Sequence, residues 1–171
     1  MHPSLVDAEN EFEELEMEVG HLEAALAGMT PIEELDAQQA WAATHIYGSA
    51  TEKIYSGFER VMAMLASAID RAPVTHREGW HAALLKRMAH PFPGVRDAIL
   101  SKETAAQLDR LRAFRHRERN SYVSGLDLHI VVDRARDTVH GFSLLRADVR
   151  RFFDAFGNDH NPASNPTTPG R

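Results

Sequence analysis

Apolar residues recur in this chain at intervals of three and four, and no segment alternates at intervals of two over the length of a strand. That spacing constrains the fold more than any other feature, because a period near 3.6 puts the apolar residues on one face of a helix. Phe12, Leu15, Val19, Leu22, Leu26 and Met29 form one such stripe, and Ile54, Phe58, Val61, Leu65 and Ala68 form another. A third runs through Leu128, Val132, Ala135, Val139, Phe142, Val149, Phe153 and Phe156. The expected fold class is all-α.

Local signals set the expected boundaries. Gly28 closes the first helix, and "TPIEE" opens the next with Thr30 as N-cap, Pro31 at the first helical position and Glu33 reaching back in a capping box. Pro73 ends that long helix, and Thr75 with Glu78 forms a second capping box before "HREGWHAALLKRM". "HPFPG" cannot continue a helix. Ser101 then opens a helix running to about Ser124 and Gly125, and Asp127 caps the last one. About five helices in an up-and-down bundle follow, without an internal repeat. The expected division is an acidic N-terminal helix over 1–29, a helical domain over 30–156 and a disordered tail over 157–171, whose "GNDHNPASNPTTPGR" consists of turn formers.

Several classes of chemistry are excluded or disfavoured. The chain has no cysteine, so thiolate nucleophiles, thiolate metal sites and disulfides are ruled out. It carries no glycine-rich phosphate loop, no nucleophile elbow and no H-E-x-x-H. Its ten histidines are scattered; His76 and His81 share a helix five residues apart, a poor spacing for joint ligation, and neither a metal nor a cofactor is expected. No apolar run is long enough to span a bilayer and the N-terminus lacks the pattern of a signal peptide, so the expectation is a cytoplasmic protein with no membrane association.

Charge is unevenly spread. The net charge is −6, yet no lysine or arginine precedes Lys53 while twelve acidic residues lie between Asp7 and Glu52. The rest of the chain therefore sets thirteen acids against all nineteen basic residues. Such polarity fits a basic working surface, or an acidic element folded against a basic one. Positive charge is densest in "RLRAFRHRERNSYVSG", residues 110–125. At about 100° per residue, Arg112, Arg115, Arg119 and Tyr122 share one face. Arg110 and Arg117 point away from it, and His116 and Asn120 stack one turn apart on an adjoining stripe. Leu111 and Phe114 should face the core. Unpaired burial of these arginines would cost several kcal/mol, so they need carboxylates, a ligand or a rim position. Spacing alone leaves two readings open: an arginine–glutamate network with the preceding helices, or a site for phosphate.

"FRHRERNSY" resembles the motif of the HEPN superfamily and most closely that of HepT-like ribonuclease toxins, R-x-x-x-x-H-x-Y with a polar residue after the arginine. Arg115 matches the arginine, His116 the polar residue and Tyr122 the tyrosine, while Asn120 stands where the motif has histidine. "IYSGFERV", "GWHAALLKRMA" and "VRDAIL" are similar to flanking blocks of the same relatives. The resemblance implies an all-helical homodimer with two motif helices over a cleft. It implies a metal-independent endoribonuclease acting in a toxin–antitoxin pair with a small nucleotidyltransferase, whose members in some pairs add AMP to the motif tyrosine. Arg115, His116, Asn120 and Tyr122 are then the expected catalytic residues and Arg112 and Arg119 the expected RNA-binding ones. Glu59 supports the fork by pairing with Arg115 or Arg119, and Tyr122 is the AMP acceptor. Asparagine cannot shuttle a proton at neutral pH. Either His116 supplies that function or the protein is an attenuated, non-catalytic binder of RNA, nucleotide or nucleotidyltransferase. Trp80 and His81 read as packing residues.

Overall fold

The apolar stripes meet in a single core. The computed structural model describes residues 3–75, 77–120 and 126–159, with side chains over 5–75, 77–115 and 126–155. Among these it holds five α-helices and no strand: α1 (Pro3–Ala27), α2 (Ala37–Asp70), α3 (Trp80–Met88), α4 (Lys102–Asn120) and α5 (Leu128–Asp159). The fold class is all-α, as the periodicity requires.

Neighbouring long helices run antiparallel. Tyr47 Oη on α2 donates to the Ala25 carbonyl near the end of α1, 3.0 Å away, while Leu65 near the other end of α2 shares a cleft with Ala8 near the start of α1. Helix α4 opposes α5: the Ser101 amide donates to Asp148 at 2.6 Å, and Gln107 Nε2 donates to the Asp137 carbonyl at 2.9 Å. Phe58 and Phe142 stack with centroids 6.2 Å apart and tie α2 to α5, and Phe12 of α1 adds a tilted contact to Phe142. The short helix α3 packs on both α2 and α4.

Two expected helix starts move. No helix begins at Thr30; a 3₁₀ turn spans Ile32–Glu34, and Asp36 takes the cap instead. Its Oδ1 accepts from the Gln39 amide at 2.8 Å while Gln39 Oε1 accepts from the Asp36 amide at 3.0 Å, a complete capping box built from a better cap residue six positions on. Nor does Thr75 cap α3. That helix starts after Gly79, whose φ of +74° turns the backbone in a way only glycine adopts freely. Ser101 and Asp127 cap α4 and α5 as expected: Ser101 Oγ accepts from the Thr104 amide and Asp127 Oδ1 from the His129 amide. Helix α5 continues to Asp159, past residue 157 where the tail was expected to begin; residues 160–171 lie outside the described residues. Met62 is buried in the core.

The acidic helix α1 is not an appendage. Ala8, Leu15, Val19 and Leu22 are buried against α2 and α5. Its outer carboxylates take cations from those same helices, Glu18 with Lys53, Glu11 with Arg60 and Glu16 with Arg146. Among the described ion pairs, none links α1 to the arginines of α4.

Candidate functional site

Leu108, Leu111 and Phe114 are fully buried, and they fix the rotation of α4. Arg115, next to Phe114 and one turn after Leu111, is thereby pressed against α2 at the border of the core. Its side chain is 11% exposed, so it is set into a wall, where a carboxylate partner is needed. Nη1 donates to Glu59 Oε2 at 2.7 Å, and the Glu52 carboxylate lies 3.8 Å from Nε. The guanidinium carbon sits 6.0 Å from the centre of the Tyr55 ring.

Glu59 is buried and works in two directions. Its second oxygen, Oε1, lies 2.6 Å from Nδ1 of His81 on α3. One carboxylate thus holds an arginine from α4 and a histidine from α3. The His81 side chain is 31% exposed, and its ring is tilted over that of Trp80 with centroids 4.0 Å apart. Trp80, Arg115, Glu59, Ser56, Ala63 and Met64 line a cleft of about 410 Å³ that opens to solvent.

Hydrogen bonding in this region is incomplete. The described buried side-chain atoms that lack any hydrogen bond are Arg115 Nε, Tyr55 Oη and Thr51 Oγ1. Thr51 and Tyr55 are one turn apart on the same face of α2, and Arg115 lies over Tyr55. Buried polar atoms are satisfied in the great majority of cases, so three exceptions gathered in one place mark a site with spare capacity. Burial, with Glu59 beside it, raises the Tyr55 phenol above its ordinary range and keeps it protonated.

A fully buried arginine, Arg96, shows what a purely structural one looks like here. Arg96, in the turn after α3, donates through Nε to Asp70 Oδ1 at 2.6 Å and through Nη2 to Asp70 Oδ2 at 3.1 Å. It also donates to the carbonyls of His90, Asp97 and Arg87. Arg87 joins the same carboxylate at 2.6 Å. Every nitrogen of Arg96 is engaged. Arg115 differs: Nη1 is engaged by Glu59, Nε makes no hydrogen bond, and Nη2 has no partner among the described residues.

The expected site is only partly assembled within the described residues. Arg115 and Glu59 meet. Arg112 turns along its own helix to Asp109 at 2.8 Å and does not join the carboxylate cluster. His116, Arg119 and Asn120 belong to α4, but their side chains lie outside the described residues, as does Tyr122 altogether. Among the described residues no group of three His, Cys, Asp or Glu side chains could hold a metal ion. No described helix is long and apolar enough to cross a membrane.

Sequence reasoning gave His81 to packing and missed its place beside Glu59. The available signal was chemical: a glutamate on the inward face of a long helix has two oxygens to satisfy, and one arginine satisfies one.

Residues 47–156 match a family model described as HepT-like protein. The chain belongs to the HepT-like family. It is thereby a member of the HEPN superfamily, in agreement with the five-helix, strand-free architecture of the described residues. No curated protein and no solved structure shows a significant match. The match begins within α2, so α1 lies outside it although its apolar face completes the HepT-like core.

Proposed function

We propose that this HepT-like protein is the toxin component of a toxin–antitoxin pair and acts on RNA as a metal-independent endoribonuclease, or as an attenuated relative of one. In this reading it is a cytoplasmic homodimer partnered by a small nucleotidyltransferase. The observation that carries the proposal is the unspent capacity of Arg115. A partly buried guanidinium fixed by Glu59, with donors left over at the wall of a cleft, suits charge-assisted hydrogen bonds to phosphate oxygens. Family membership supplies the context in which that phosphate belongs to RNA. Arg112 and Arg119 extend positive charge along α4 for the flanking backbone, and His116, Asn120 and Tyr122 complete the motif. Tyr122 is the residue that a nucleotidyltransferase partner would modify with AMP.

Asn120 favours a second reading, a non-catalytic dimer that holds nucleotide or the nucleotidyltransferase, because general acid–base help contributes about 10²- to 10⁴-fold to such reactions. One experiment separates the two. Purified protein is incubated with an unstructured RNA in EDTA, wild type beside Arg115→Ala and His116→Ala, and RNA binding is measured over a salt series. Cleavage by the wild type and its loss in Arg115→Ala supports the nuclease. Binding that weakens steeply with salt but gives no cleavage supports the binder. Equal cleavage by all three proteins would remove this site from the reaction.

A further inference from the structure

Asn120 leaves the motif without its proton carrier, and the structure offers another imidazole at the same carboxylate. His81 Nδ1 lies 2.6 Å from Glu59 Oε1 while Arg115 Nη1 lies 2.7 Å from Glu59 Oε2, so the imidazole and the guanidinium are separated by little more than the width of one carboxylate. A carboxylate accepts and cannot donate, so Nδ1 carries the hydrogen of that bond. The second nitrogen, Nε2, is then the basic one and points away from Glu59. It has no hydrogen-bond partner among the described residues, and the side chain is 31% exposed. The ring is fixed on one side by Glu59 and on its face by Trp80, whose own side chain lines the cleft beside Arg115. A histidine held by a buried carboxylate at one nitrogen, with the other left open, is the arrangement in which an acidic partner sets the tautomer and stabilises the imidazolium formed on proton uptake.

We propose that His81, oriented by Glu59, is the proton-transfer residue of this site and stands in for the histidine that Asn120 replaces. The inference rests on the ribonuclease reading above. Nε2 takes the proton of the ribose 2′-hydroxyl as the 2′ oxygen forms its bond to phosphorus. The bond from phosphorus to the 5′ oxygen breaks, its electron pair leaves with that oxygen, and the oxygen takes a proton from solvent. The products are a 2′,3′-cyclic phosphate and a 5′-hydroxyl end, and the imidazolium returns its proton to water. Arg115 holds the non-bridging oxygens while charge accumulates there.

The test is cleavage of a short unstructured oligoribonucleotide in EDTA by the full-length protein, comparing wild type, Arg115→Ala and His81→Ala, with RNA affinity and thermal unfolding measured for each. His81→Ala is expected to lose about 10²-fold or more in cleavage rate while binding RNA within a few-fold of wild type. Free imidazole added to His81→Ala is expected to restore roughly tenfold or more of that loss, which a merely structural histidine would not allow. Cleavage by His81→Ala at the wild-type rate, or a loss that imidazole does not restore, overturns the role of His81 while the nuclease reading stands on the Arg115→Ala result. Absence of cleavage by wild type overturns both.

Discussion

At the scale of single residues, two arginines carry the contrast between structure and function. Arg96 shares Asp70 with Arg87, and the Asp70 side chain is fully enclosed. The carboxylate joins the end of α2 to α3 and the turn that follows it. Asp70→Asn keeps the shape but removes the charge, leaving two guanidinium groups at a neutral amide. The expected loss is about 3–5 kcal/mol, the usual cost of breaking a buried ion pair, read as a shift of the urea midpoint. Arg115→Met is expected to cost less, because Arg115 has fewer bonds to lose and its removal frees Glu59 to keep His81. A larger destabilisation from Arg115→Met than from Asp70→Asn would make Arg115 the structural residue of the pair. The sequence shows both arginines and both acids, and helical spacing correctly turns Leu111 and Phe114 inward. It does not show which carboxylate each arginine meets, because partners separated by 26 and 56 positions are chosen by packing and not by periodicity.

At the scale of elements, the periodic stripes located the helices, while the exact starts depended on competition between nearby cap residues. Thr30 and Asp36 both offer a capping oxygen, and Asp36 wins because Gln39 returns the second bond of the box. What the stripes could not give was the closeness of α1 to α2. Gly57 lies directly beneath Leu15, and a Cβ at that position would sit 2.3 Å from Leu15 Cδ2 and 3.0 Å from its Cγ. Alanine in place of a mid-helix glycine ordinarily gains about 1 kcal/mol. Here the gain meets a buried leucine with little room to move, and overpacking costs roughly 1–3 kcal/mol. Gly57→Ala is therefore expected to be neutral to destabilising by up to about 2 kcal/mol, and Leu15→Ala alone to cost about 2–5 kcal/mol. The double variant should be more stable than the sum of the two predicts, since Leu15→Ala opens the space the new methyl needs. Additive thermal-unfolding values would mean that α1 is not held against α2 at this notch.

At the scale of the whole molecule, two buried carboxylates hold the same end of the bundle, and both respond to pH in the same direction. Asp70 gathers the end of α2, α3 and its following turn; Asp148 on α5 accepts from the Ser101 amide at the start of α4 and pairs with Arg151 at 2.7 Å. Burial alone would raise both. It is outweighed by the hydrogen bonds of Arg96 and Arg87 at Asp70, and by those of Thr104, Ser101 and Arg151 at Asp148, so both lie below the ordinary aspartate value. A carboxyl whose value is lowered by folding contributes stability that is fully present above the unfolded value, near 3.9 for aspartate, and is lost as pH falls through the folded one. Protonation of the unfolded chain begins first, so each group should add a slope of up to about 1.4 kcal/mol per pH unit in that window. Stability is accordingly expected to change little through these groups between pH 5 and 8 and to fall as pH drops below about 4. Asp70→Asn with Asp148→Asn should start from a lower stability at neutral pH and lose less of it on acidification. Equal acid slopes in the wild type and the double variant, measured by urea unfolding at each pH, would show that other carboxylates govern acid unfolding and that this end of the bundle is held mainly by its apolar core.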